Sequence, residues 1–329
     1  MALQDYKPGE RLTAFAAVRR LERKEYTGGV FLTLNVADKT GSVNAVMWEG
    51  FEAVVDLLHP GAVVKIQGVM GDYRDQPQVR IERLRLAREE EYDLADLVPA
   101  SEFPREELAR RLDAVTDSLT DPDFRRLMQT LFATDSVRER FLAAPGAQRW
   151  HHAYIGGLAE HTLGVVDICE FCARRYPELD RDLLVCGAVL HDIGKIDQYA
   201  TTAVFAYTDA GRLVGHLVQG DEIIRAAMSR VEGFPEQKAM LLRHLILAHH
   251  GRLEFQSPVE PMTREAFVLH YADELDSKLG ALRKLAGKAG DAAWSEYVKL
   301  LDRYIYFGTT RDTPANRETS GARSAGGED

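Results

Sequence analysis

The sequence has 329 residues, 45% of them hydrophobic and 28% charged, which fits two soluble globular domains and excludes a low-complexity chain. No apolar run reaches the roughly 18 to 20 residues of a membrane span, and the polar stretch Met1 to Gly9 does not read as a secretory signal. The three cysteines, Cys169, Cys172 and Cys186, complete no zinc set, so buried thiols in a reducing cytoplasm are expected.

A net charge of −10 argues at first against a nucleic-acid partner. Its distribution reverses that reading. Residues 1–88 carry 13 Lys and Arg against 11 Asp and Glu, while the remainder carries 28 against 40. Six acids and no base fall between Glu89 and Glu102. Others lie among candidate metal ligands, where cations would offset them.

In chain order, Arg11 to Arg23 reads as a long first strand. Val30 to Val36 alternates at period two, as a half-buried strand does. Asp38 to Gly41 is a turn, Ser42 to Trp48 a third strand, and Phe51 to Leu58 a brief helix ending at Pro60-Gly61. Val63 to Met70 and Val79 to Leu86 are two further strands. Five strands with a helix between the third and fourth is the order of an OB-fold β-barrel. Residues 89–104 form an acidic linker with two prolines. From Arg105 to about Phe307 the pattern is helical, interrupted by a hairpin over Phe205 to Val214 that turns at Asp209 to Gly211. The tail 309–329 lacks hydrophobic periodicity and reads as disordered. The predicted architecture is therefore multidomain α+β: a five-stranded barrel over 1–88, a linker over 89–104, an all-α helical bundle over 105–308, and a tail.

Eight of the ten histidines fall between positions 151 and 250. His161 lies in the first turns of an apolar helix from Gly157 to Ala173. His191-Asp192 follows the apolar run Leu183 to Leu190 and precedes Ile193-Gly194-Lys195. His216 comes just after the hairpin, His249-His250 closes a helix from Lys238 to Ala248 before Gly251, and Asp273 sits in a helix from Arg264 to Leu285. Imidazole and carboxylate together suit Mn, Fe, Co, Ni or Zn, and helices of a bundle can bring such ligands to a dinuclear site. An adjacent His-Asp pair offers a nitrogen and a carboxylate whose two oxygens can bridge two cations. Two metals about 3.5–4 Å apart can bind a phosphate oxygen and activate water for in-line attack. A lone helical histidine is more often structural, and His59, His244 and His270 are assigned to that class.

His161, His191-Asp192 and Asp273 match the H…HD…D signature of the HD superfamily of phosphohydrolases, and His216 with His249-His250 the further ligands of its two-metal branch. The stretch Trp150 to Thr162, Leu190-His191-Asp192-Ile193-Gly194-Lys195, and His249-His250-Gly251 to Pro261 resemble the YhaM family of 3′-to-5′ exoribonucleases, in which an OB-fold precedes the HD domain. The resemblance implies a first metal held by His161, His191, Asp192 and Asp273, and a second bridged by Asp192 and held by His216 and His249. His250 would be a ligand or a proton donor to the leaving oxygen. Lys195 would reach a phosphate oxygen, or be merely an exposed helix lysine. His152 would line the mouth or be structural. Mn²⁺ or Co²⁺ are the activators implied, with Fe, Ni or Zn as alternatives. Asp192, Lys195 and His250 would serve catalysis, releasing 5′-nucleotides.

On the barrel, alternation turns Phe31, Thr33 and Asn35 away from the face of Val30, Leu32, Leu34 and Val36. Phe31, Trp48, Tyr73 and Arg74 are the candidate contacts to single-stranded RNA, with single-stranded DNA as a second ligand. Arg19, Arg20, Arg80, Arg83 and Arg85 are candidates to track phosphates. Alternatively, Phe31 and Trp48 pack on the helical domain. The competing functions are an HD phosphodiesterase or phosphatase for a small nucleotide or second messenger, and a binding protein with a vestigial metal site. A homo-oligomer is compatible with either.

Overall fold

The computed structural model describes residues 2–74, 76–133, 135–148, 152–200, 203–290, 292–299 and 301–308. The expected tail 309–329 and His151 lie outside the described residues. The chain divides into two compact units, Met1–Asp273 and Glu274–Asp329.

Five strands, β1 (Arg11–Tyr26), β2 (Gly29–Asp38), β3 (Gly41–Met47), β4 (Val63–Tyr73) and β5 (Gln76–Leu86), close into a barrel ordered β1-β2-β3-β5-β4. Of the barrel's strand pairs, β3 and β5 alone run parallel. β1 is long because it serves two partners: Arg11–Ala17 pairs with β4 and Ala17–Tyr26 with β2. A bulge between Val18 and Arg20 marks the change, where extra twist lets one strand turn the barrel's corner. In β2, Leu32, Leu34 and Val36 enter the barrel core while Phe31, Thr33 and Asn35 stay half-exposed, as the alternation requires. The brief helix expected over Phe51 to Leu58 is reduced to a single 3₁₀ turn, Val55–Leu57. Phe51, Val55 and Leu58 still point into the barrel core, so the apolar spacing reflects a plug and not a full helix.

The helices are α1 (Leu94–Leu97), α2 (Arg105–Ser118), α3 (Pro122–Phe132), α4 (Asp135–Ala143), α5 (Gly157–Arg175), α6 (Arg181–Leu190), α7 (Lys195–Gln198), α8 (Asp209–Leu213), α9 (His216–Met228), α10 (Glu236–Ala248) and α11 (Arg264–Ala289). Their common core includes Phe124, Leu127, Phe141, Leu163, Leu184, Ile193, Leu245 and Leu269. α6 is buried on every side from Asp182 to Leu190, which makes it the central helix. Several entries are capped by side chains: Asp121 accepts from Asp123 N and Phe124 N, and Asp180 from Leu183 N.

Three expectations change here. The hairpin is real, but Ala206-Tyr207 (β7) pairs with Tyr199-Ala200 (β6), and Asp209 to Gly211 opens α8 instead of a turn. Thr208 accepts from Gly211 N, and that cap sets the helix. The stretch beyond α11 is not helical to Phe307: Gly290 takes φ 55°, a left-handed conformation that ends helices, and isolated bridges join Trp294 to Tyr306 and Val298 to Arg303. Finally, residues 89–104 are not a bare tether. Leu97 and Val98 of this segment join Ala17 and Val63 of the barrel and Ala203 and Phe205 of the β6–β7 loop in one apolar cluster. Ala100 forms a bridge with Ile155, with Ile155 N donating to the Pro99 carbonyl at 2.9 Å. Phe205→Ala is expected to lower stability by about 3–5 kcal/mol through the cavity it leaves, measured by urea unfolding of the full chain. A loss as small as that of an exposed phenylalanine would contradict the packed interface.

Candidate metal centre and nucleic-acid interface

Most of the candidate ligands come from helix ends. His161 lies one turn into α5, His191 caps the end of α6, and Asp192 follows in the turn before α7. His216 opens α9, His249 and His250 follow α10, and Asp273 lies on α11. The pair His191-Asp192 thus sits just beyond a helix, a tighter geometry than two residues at one helical level.

Asp192 is 2% exposed. Its two oxygens face different neighbours. Oδ2 lies 3.3 Å from His191 Nε2 and 3.6 Å from His161 Nε2, and His161 Nε2 lies 3.1 Å from Asp273 Oδ1. Oδ1 lies 3.3 Å from His216 Nε2 and 3.6 Å from His249 Nε2. Groups of potential ligands with their ligand atoms within 4.8 Å of one another include His161–His191–Asp273 and His216–His249–His250, and a third, His191–Asp192–His249, links them.

The ring nitrogens are oriented for metal binding. His191 Nδ1–H donates to the Ala188 carbonyl at 2.8 Å, His249 Nδ1–H to Ile246 at 2.7 Å and His250 Nδ1–H to Phe255 at 2.8 Å. A carbonyl only accepts, so the proton is on Nδ1 and the lone pair on Nε2. His191 Nε2 therefore turns its lone pair toward His161 Nε2, 3.2 Å away. Asp192 Oδ1, His216 Nε2 and His249 Nε2 are buried and have no hydrogen-bond partner. Buried orphans of this kind are rare without an ion or water, and this set of imidazoles and carboxylates fits divalent cations.

Electrostatics agree. Burial works against the Asp192 charge, yet the Lys195 ammonium, then His191 and His249, hold its pKa well below the usual carboxylate range. Asp273 is half-buried, and its pKa is held low chiefly by the His161 hydrogen bond. Burial, then His249, brings the His250 pKa down to about 4. The His250 imidazole is therefore neutral near pH 7, the form in which a histidine can ligate a cation. Lys195 is neither free nor exposed: Nζ lies 2.5 Å from Asp192 Oδ2 and donates to the Gly146 carbonyl at 2.7 Å.

Two glycines permit this packing. A Cβ on Gly194 would lie 2.0 Å from the His216 carbonyl oxygen, so only glycine lets α9 start against the His191-Asp192 turn. Gly251 takes φ 79° and lies against the His270 ring. His270 Nδ1–H donates to the His249 carbonyl at 2.8 Å. His270, assigned above to ordinary core, thus braces the helix end that carries His249. Nothing in its local pattern signals that role.

Residues 158–278 match the HD domain. The helical domain is an HD domain. Residues 16–87 match the OB-fold nucleic acid binding domain. Along its length the chain is similar to the 3′-5′ exoribonuclease YhaM of Geobacillus sp. (strain WCH70), with 29% identity over 305 residues, 92% of this chain and 93% of that protein. Among solved structures it is similar to the second OB-fold domain of replication protein A from Methanococcus maripaludis, with 15% identity, a TM-score of 0.23, and coverage of 27% of this chain and 95% of that one. A further similarity is to the protein PriB from Ralstonia solanacearum, with 16% identity, a TM-score of 0.22, and coverage of 24% and 97%.

Around the HD domain's centre, His152 adopts φ 46°, its Nδ1 lies 2.8 Å from the Tyr154 hydroxyl, and its ring centroid is 5.3 Å from that of His161. His244 Nε2 accepts from Met262 N at 2.9 Å, a structural role, and His59 lies beside the Pro60 carbonyl.

On the barrel, Phe31 and Trp48 stack on each other at 4.5 Å, and Tyr26 meets both edge-on. Trp48 is 42% exposed, and its ring partners Phe31 and Tyr26 both belong to the barrel. Phe31, Trp48, Tyr73, Arg20, Lys24 and Arg80 are among the residues lining a groove of about 700 Å³. Arg20 and Lys24 lie 3.7 and 3.5 Å from Glu22. Arg74 is not among the lining residues and lies over the Tyr73 ring at 5.2 Å. Arg83 and Arg85 line a different groove, and Arg85 is held by Glu91 through two short hydrogen bonds. Tyr26 and Lys24 escape the sequence reading because β1 runs three residues further than the alternation indicates.

Gly194→Ala is expected to push the start of α9 from Asp192 and weaken Mn²⁺ binding about tenfold or more, measured by equilibrium dialysis at unchanged helical content. Wild-type affinity would show that the close approach is not needed.

Proposed function

We propose that the protein is a metal-dependent 3′-to-5′ exoribonuclease that shortens single-stranded RNA to 5′-nucleotides. The observation that carries this reading is the buried Asp192 carboxylate, with His161 and His191 beside one oxygen and His216 and His249 beside the other. The similarity to an exoribonuclease across nearly the full length of both chains supports it. The aromatic groove on the barrel favours a polymer over a small nucleotide, which needs no stacking platform.

In this reading His161, His191, Asp192 and Asp273 would hold one divalent cation, and Asp192, His216, His249 and His250 would hold the other. When bound, the cations supply Lewis-acid polarisation of the phosphodiester and a nucleophile at neutral pH. The chain's own groups do the rest. The Nδ1–H bonds to backbone carbonyls keep the imidazoles in one orientation. Lys195 keeps Asp192 ionised and places a positive charge where the attacked phosphate gains negative charge. Mn²⁺ and Co²⁺ suit a site of mixed imidazole and carboxylate, with Fe, Ni and Zn as further candidates. Single-stranded DNA is a second substrate for the same groove. Buried free thiols at Cys169 and Cys186 fit a reducing cytoplasm.

Incubation with 5′-end-labelled single-stranded RNA and Mn²⁺ is expected to give a ladder shortening from the 3′ end. Asp192→Ala should lower that rate at least about a thousandfold while circular dichroism is unchanged; retained turnover would refute the assignment. Trp48→Ala should weaken binding of long single-stranded RNA about tenfold and leave hydrolysis of a small phosphodiester near wild type. Equal loss of both would mean that the barrel acts through the HD domain's integrity alone.

A further inference from the structure

Asn35 on β2 and Asn44 on β3 stand opposite each other in register. Asn35 Nδ2 donates to Asn44 Oδ1 at 3.1 Å, and both side chains line the groove that contains Phe31, Trp48 and Tyr73. Each amide has one acceptor oxygen and one donor nitrogen. Two facing amides could close into a ring of two hydrogen bonds, but this pair makes one. Asn35 Oδ1 and Asn44 Nδ2 are left as an acceptor and a donor in the groove lining. If both amides turn over together, the mutual bond is kept and the free edge becomes donor then acceptor.

The pair is not needed to hold the strands. β2 and β3 are in continuous register from Leu32↔Met47 to Asp38↔Gly41, and a hydrogen bond between exposed side chains adds little in water. Its chemistry points elsewhere. Each RNA base carries a donor beside an acceptor on its Watson–Crick edge: adenine N6–H and N1, cytosine N4–H and N3, guanine N1–H and O6, uracil N3–H and O4. Unstacked single strands expose those edges to protein amides.

We propose that Asn35 and Asn44 form a base-reading pair that bonds the Watson–Crick edge of any of the four bases lying in the groove. The inference rests on the reading that single-stranded RNA is the substrate. It gives the groove affinity for bases as such, without preference among them, as an enzyme degrading through any sequence requires. The aromatic rings supply stacking, and the amides distinguish a base from other flat groups.

The test is fluorescence anisotropy on the full, metal-loaded chain, with oligomers whose 3′-terminal linkages are methylphosphonates that cannot be hydrolysed. Wild type should bind oligouridine, oligocytidine and oligoadenosine similarly. It should bind an oligomer of a stacking mimic that lacks hydrogen-bonding edges about tenfold more weakly. The double variant Asn35→Ala/Asn44→Ala should lose that advantage for natural bases and leave affinity for the mimic unchanged. Asn35→Asp makes a sharper prediction. Asn44 Nδ2 would then donate to the new carboxylate, leaving two acceptors, the complement of guanine N1–H and N2–H. The ratio of affinities for an alternating guanosine–uridine oligomer over oligouridine should rise about tenfold, a ratio insensitive to the added charge. Equal weakening of natural and mimic oligomers by the double variant, or an unchanged ratio in Asn35→Asp, would overturn the amide pair while leaving the exoribonuclease reading intact. A wild-type chain that binds no single-stranded RNA would overturn both.

Discussion

A carboxylate buried to 2% exposure cannot stay charged unless its surroundings compensate for lost water. Asp192 stays charged because Lys195 touches one oxygen and imidazole nitrogens surround both. One ammonium does not suffice for everything gathered there. Asp273 is also ionised, and the buried Nε2 atoms of His216 and His249 have no hydrogen-bond partner. The centre is therefore a concentration of negative potential inside an apolar bundle, a setting that favours cations. The rest of the HD domain can be understood as what is needed to hold that arrangement rigid.

Rigidity comes from where the ligands sit. Most lie at helix ends, where the backbone carbonyls of the last turn are free to accept from Nδ1. His191 and His249 both use a carbonyl three residues back, in α6 and α10, so each ring is aimed by its own helix. Helix ends can meet closely only where side chains are absent. Gly194 lets α9 abut the His191-Asp192 turn, and Gly251 lets His270 press against the end of α10. The glycine after His-Asp is thus a spacing element between Asp192 and His216.

These features differ in how far the sequence reveals them. The barrel strands alternate over enough residues for their order to be read, and the buried run before His191 marks α6. The histidines and aspartates that converge were also readable, because residues so distant in the chain rarely share a motif otherwise. What escaped depends on contacts between segments. The 3₁₀ turn at Val55–Leu57 has the apolar spacing of a helix, but the barrel core takes Phe51, Val55 and Leu58 without one. Residues 89–104 look like a tether by composition, and become a docking segment only because Leu97 and Val98 find Ala17 and Phe205. Arg85 looks free for phosphate until Glu91, six residues on, claims it. Such pairings have no period and leave no pattern along the chain.

The docking of the barrel has a consequence for its ligand. The apolar cluster that joins it to residues 92–98 and 203–205 uses Phe15 and Ala17 of β1, Val63 of β4 and Ala87. The groove uses the far end of β1, the middle of β2 and β3, and the β4–β5 hairpin. The two sets share no residue. At the division in β1, Ala16 and Val18 enter the barrel core while Ala17 between them faces the docking cluster. One strand thus contributes its first half to attachment and its second half, through Arg20, Glu22 and Lys24, to the groove. A strand in the groove would contact no docking residue, so occupancy need not loosen the barrel from the HD domain. The stacked Phe31–Trp48 pair remains open because burial demands are met on another face. An aromatic cluster left at the surface for that reason stays accessible while the barrel remains attached.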